Sequence, residues 1–198
     1  EIQISVPTKS VEEDVQVNPD HGESEIRESH QIQAALAEIG EKLNLKIWLP
    51  KSDRVRVLKS WSPEPDTLLD QLPIINEESV LKTVEQIDVI WLKGRSIIRA
   101  FEVEHTTSVY SGLLRMADLL ALQPNLSICL HIVAPSSRRD KVFGELLRPV
   151  FQLMEGGALS EKCSYISYES VRGLLAEKRL GRMTPDVIED IDERAEEG

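Results

Sequence analysis

Three acids in two short stretches carry most of the chemistry this sequence offers: Asp88 in QIDVIWL, and Glu102 and Glu104 in FEVEH. Each stretch is otherwise apolar, so the carboxylates are set beside surface that strips them of water. Like charges crowded there repel one another and lose hydration, at a cost of several kcal/mol. A divalent cation with oxygen ligands relieves that cost. A lone acid in such a place would be read as a strand end pointing into water. Asp88 followed by Glu-Val-Glu is read as a candidate cation site, with Asp88, Glu102 and Glu104 as ligands.

The elements that must position these acids are legible around them. Residues 87–92 form a short apolar run broken by Asp88, and 96–105 form a second run rich in Ile, Phe and Val. Gly94 between them supplies the positive φ that a tight hairpin turn needs. Alternation puts Ile98, Ala100, Glu102 and Glu104 on one face of the second strand, and Ile97, Phe101 and Val103 on the other. The expected hairpin register sets Asp88 opposite Ala100 and diagonal to Glu102, roughly 7–8 Å away on the same face. Thr106, Thr107 and Ser108 offer N-cap hydroxyls, and Thr106 is also an accessory polar group near the acids. Val109, Leu113, Met116, Ala117 and Leu120 then follow at helical spacing.

An Asp at one strand end, a hairpin, Glu-x-Glu on the next strand and a following helix resemble the PD-(D/E)XK nuclease superfamily, over residues 25–175. Most members carry Lys where Glu104 stands, although some restriction endonucleases of the superfamily carry Glu-x-Glu. The resemblance implies a restriction endonuclease-like three-layer α/β sandwich with a central mixed sheet flanked by helices. It implies hydrolysis of DNA phosphodiesters with Mg²⁺ or Mn²⁺. Asp88 and Glu102 would bind the ion, the Val103 carbonyl would complete the shell, and Glu104 would be a further ligand or the base. It also implies that the first core helix offers a polar group to the site, and Gln33 is roughly placed for this.

The net charge of −11 on 198 residues argues against a nucleic-acid partner until it is divided. Residues 1–28 and 186–198 together carry −12, which leaves the centre at about +1. The expected organisation is therefore an acidic flexible segment over 1–23, a nuclease-like domain over 24–182 and an acidic tail over 183–198. The hydrophobic content, 41%, suits a core that folds by itself. The sequence has no membrane-length apolar run, and Cys129 and Cys163 lack metal or CxxC spacing, which fits a reducing cytoplasm. A chain starting at Glu1 rather than Met is read as a piece of a longer protein, with an upstream domain and a homodimer admitted as partners.

The remaining elements follow in order. Residues 25–43 carry the helical stripe Ile32, Ala35, Leu36, Ile39 and Leu43. Residues 45–58 read as a strand and turn, where Lys51, Arg54 and Arg56 lie close enough together to touch phosphate or simply to be solvated. Residues 61–76 read as a loop with a short helix near 68–72. The continuous apolar run 126–134 reads as a strand parallel to the Glu-Val-Glu strand. Next come a helix over 138–154 bent at Pro149, a strand over 164–167 and a helix over 168–178. Candidate nucleic-acid contacts are Arg115, which either points toward the carboxylates to hold a phosphate or pairs with Asp118, and the group Arg138, Arg139 and Lys141. The last three sit at a helix start, where cations oppose the dipole. His105 and His131 lie in or beside apolar strands and read as core or strand-end histidines. The competing reading is a nuclease-like fold that no longer cuts and serves binding or assembly.

Overall fold

A computed structural model describes residues 19–73, 82, 84–104, 109–122 and 128–195. The first helix, α1 (Pro19–Lys42), begins six residues before the expected start at 25, with Pro19 where a missing N–H costs no helical bond. Its stripe is buried as the spacing predicts, from Ile32 through Leu36 and Ile39 to Leu43. Asn44 adopts φ 60° and stops the helix, with Leu45 N–H bonded back to the Gly40 carbonyl and Asn44 N–H to that of Glu41.

β1 (Lys46–Trp48) pairs antiparallel with β2 (Val89–Lys93), which pairs antiparallel with β3 (Ser96–Val103). Between β1 and β2 lies the one-turn helix α2 (Arg54–Val57). β4 (Cys129–Ala134) and β5 (Cys163–Ser167) complete a five-stranded sheet in sequence order, each parallel to the strand before it. The helices are α3 (Val109–Leu122), α4 (Arg139–Leu146), α5 (Pro149–Gln152) and α6 (Tyr168–Leu175). One core, with Leu113 and Met116 of α3 and Val142 of α4, packs on the sheet face of Ile90, Ala100 and Ile132. The other, with Leu36 of α1 and Val171 of α6, packs on the face of Trp91, Phe101 and Val133. The architecture is a three-layer α/β sandwich around a mixed sheet, as expected.

Several local expectations are corrected. The hairpin turns at Gly94, with φ 62°, but Trp91 pairs with Arg99 while Leu92 pairs with Ile97, so Ile98 is bulged out of register. The bulge exchanges faces: Ile97 joins the core of Ala100, and Ile98 packs with Phe101. It also moves the register, so that Ile90 rather than Asp88 opposes Ala100. The helix expected over 138–154 breaks at Pro149 into α4 and α5. Residues 68–72 form no helix; Leu68 instead bridges Ile47 in parallel.

The acidic tail expected from 183 is packed on the domain up to Glu193. Ile188 is fully buried, Tyr165 and Glu193 exchange backbone hydrogen bonds at 2.8 Å, and Arg99 holds Glu189 at 3.2 Å. Beside Arg99, His131 is a core histidine stacked on Phe101 and bonded to Ser164 Oγ at 2.7 Å. Acidic composition hid a segment whose acids pair with Arg99 of β3 and Arg139 of α4. Residues 1–18 of the expected N-terminal segment lie outside the described residues. Ile188→Ala is expected to cost about 2–5 kcal/mol, lowering the melting temperature by about 5–15 °C for a domain this size. A thermal melt checks this, and a change under about 2 °C would mean that the segment is only loosely held. Among the described residues, no helix is long and apolar enough to cross a membrane.

Candidate active site

The sheet brings the three acids together at one end of β2 and β3. Asp88 sits just before β2, and its Oδ2 accepts the Val103 N–H at 2.7 Å. It is half-buried and lines a cleft of about 650 Å³ with Trp48, Lys51, Asp53, Lys82, Glu85 and Arg115. Glu102 is completely buried, and Glu104 is only 9% exposed. The backbone of Glu104 is held on both sides: its N–H donates to the Val133 carbonyl at 2.8 Å, and its carbonyl accepts the Tyr168 hydroxyl at 3.1 Å.

Burial dominates the electrostatics. It pushes Asp88 up to about 6, against the Val103 N–H and Arg115, with the Asp53 charge adding to the rise. Glu104 rises to about 7, first through burial and then through the Asp88 charge, while Arg115, the Gly112 N–H and Arg138 oppose the rise. Glu102 is also raised by burial, and Arg115 is the principal group opposing it. Arg115 Nε donates to Glu102 Oε1 at 2.7 Å and its Nη2 to Oε2, a bidentate pair across the strand–helix layer. Of the two expectations for Arg115, the turn toward the carboxylates holds and a pairing with Asp118 does not; the partner is Glu102.

Sequence reasoning missed two contributors. Gly112, in the first turn of α3, lets the helix approach so closely that an added Cβ would lie 2.4 Å from Glu104 Oε1 and 3.3 Å from Glu102 Cβ. Its backbone N–H reaches the Glu104 carboxylate. A Gly early in an amphipathic helix was the available signal. Asp53, in the KSDR turn, has no such signal, because only the tertiary fold brings that turn to Asp88.

The other expected residues divide. Arg138 lies near enough to lower Glu104. Arg139 pairs with Glu193 at 2.6 Å, lies over the Phe143 ring and lines a separate cleft. Lys141 is exposed on α4. Gln33 is buried on α1, and its Oε1 has no hydrogen-bond partner among the described residues. Thr106 and His105 lie outside the described residues.

A family model for the C-terminal domain of the Type II restriction enzyme NmeDI matches residues 6–195. The chain belongs to this family. The Type II restriction enzyme NmeDI of Neisseria meningitidis serogroup C is 30% identical over 184 residues, covering 89% of this chain and 49% of that protein. This NmeDI C-terminal domain relative thus spans about half the length of the curated enzyme it matches. No solved structure matches it significantly. In donor type, the acids of this NmeDI-type domain fit a hard divalent cation, since all are carboxylate oxygens. In arrangement, Glu102 has both oxygens on Arg115. Among the described residues, no group of three or more His, Cys, Asp or Glu side chains is placed to hold one ion. Asp88 and Glu104, coupled by repulsion and free of such a pair, are the two donors that suit it.

Proposed function

We propose that this chain is the catalytic domain of a restriction enzyme, a metal-dependent endonuclease of PD-(D/E)XK type that hydrolyses phosphodiester bonds in DNA. The observation that carries this reading is the meeting of Asp88, Glu102, Glu104 and Arg115 at the end of β2 and β3, beside an open cleft. The family match supports it, since the related enzyme is named a Type II restriction enzyme.

Asp88 and Glu104 would hold Mg²⁺ or Mn²⁺, with the Val103 carbonyl and Glu102 as further oxygen donors. When bound, the ion polarises the scissile phosphate and lowers the pKa of its water. Glu104, raised to about 7 in the metal-free protein, would give up its proton near neutral pH on binding the ion and serve as a ligand. Arg115 fixes Glu102 and lines the cleft, so its remaining positive edge faces an entering phosphate. Arg138 adds positive charge near Glu104.

The second reading, a nuclease-like domain that binds DNA without cutting, is favoured by the complete commitment of Glu102 to Arg115. Supercoiled plasmid incubated with the purified chain decides between them. Nicked and linear products with Mg²⁺ or Mn²⁺, and none in EDTA, are expected. Retarded but intact plasmid at every metal concentration would support the binding module instead.

A further inference from the structure

A second cleft, of about 620 Å³, opens between α1 and α2; the charged residues lining it are Arg27, Arg56 and Lys59, beside His30, Gln31 and Ser60, with no acid among the described residues. Arg27, Arg56 and Lys59 are exposed. Among the described residues none of the three is in an ion pair. Arg54, Arg99, Arg115, Arg139, Arg148 and Arg172, by contrast, each hold a carboxylate. In a chain of net charge −11, internal acids could have neutralised this cleft as they neutralise those six arginines. Among the described residues it is left as a patch of positive charge without a paired acid.

The same short segment lines both clefts. Lys51 and Asp53 border the one that holds Asp88, and Arg56, Lys59 and Ser60 border the second. Val57 and Trp61 are buried beneath the segment, and the Trp61 indole N–H donates to Glu41 at 3.0 Å, so it is anchored rather than loose.

We propose that the Arg27–His30–Arg56–Lys59 cleft is a phosphate-backbone site for the DNA that reaches the acids. This assignment rests on the nuclease reading. It moves the main backbone contact away from the 138–141 group, where Arg139 is already bound to Glu193.

The test is binding of a fluorescently labelled random-sequence 20-base-pair duplex, in EDTA, over a salt series. It compares the unaltered chain with the Arg27→Ala/Arg56→Ala/Lys59→Ala variant. A control variant, Lys178→Ala/Arg179→Ala/Arg182→Ala, removes exposed cations near the C-terminal end of α1, roughly 20 Å along that helix from Arg27. The cleft variant is expected to bind more weakly, and its slope of log affinity against log salt should flatten by about two to three units. The control should keep the slope, and both should melt within a degree or two of the unaltered chain. An unchanged slope in the cleft variant overturns the assignment while leaving the nuclease reading intact. Equal loss in the control overturns it too, because bulk charge would then explain the effect. If the unaltered chain fails to bind the duplex at low salt, the nuclease reading falls and this site with it.

Discussion

Arg115→Ala is expected to destabilise the metal-free protein by about 3–5 kcal/mol at pH 7.5, because it leaves a completely buried carboxylate without its cation. Glu102 escapes the penalty only by taking up a proton, which its raised pKa already favours. The loss should therefore shrink at pH 5. Adding Glu102→Gln to the same chain should recover most of it, since the two side chains act as one unit. Urea unfolding of the single and double variants at both pH values measures all of this. A loss below about 1 kcal/mol would show that the pair is marginal, as exposed pairs usually are.

The metal-free protein is also expected to lose stability as pH rises from about 4 to 7. Asp88 titrates near 6 in the fold against 3.8 in an ordinary aspartate, and Glu104 near 7 against 4.5. Both fold with their protons held more tightly than in the unfolded chain. The stability they contribute is full below their ordinary values and is lost as pH climbs through the folded ones. At 1.36 kcal/mol for each pKa unit, the two groups place an upper figure of about 3 kcal/mol apiece on the decline. Because they titrate as a coupled pair, they should appear as one broad transition. A saturating divalent cation should remove the decline, since it favours the ionised form of both. Urea midpoints measured every half unit in EDTA, and again in Mn²⁺, test the sign. Stability that is flat or rising over this window in EDTA would show that the acids are better solvated than their burial indicates.

The acids, the strands that carry them and both flanking layers were legible because periodicity and burial agree there. The stripe on α1 and the continuous apolar run of β4 each announce their partners. The register of Asp88 was not legible, because one bulged residue, Ile98, shifts the pairing and swaps which isoleucine faces which layer. The partner of Arg115 was hidden for a different reason. A helical face offers Asp118 by spacing, whereas Glu102 comes within reach only when α3 packs on β3. That pairing also revises the energetics the sequence suggested. Glu102→Gln would relieve repulsion among the acids, but the amide would forfeit a bidentate charge-assisted pair. Composition misled at the C-terminal end, where acids that look like a solvated tail pair with Arg99 and Arg139 around the buried Ile188.

The most direct test of the central claim is the single-turnover cleavage of plasmid DNA in Mg²⁺ by Asp88→Asn beside the unaltered chain. Asparagine keeps the oxygen that accepts the Val103 N–H and removes only the charge, so the fold should hold and melt no lower than the parent. The account predicts a loss of about a thousandfold or more, the size expected when a group that stabilises charge in the transition state is removed. Cleavage by Asp88→Asn at the unaltered rate would contradict it, because the acids at the end of β2 and β3 would then have no part in the chemistry.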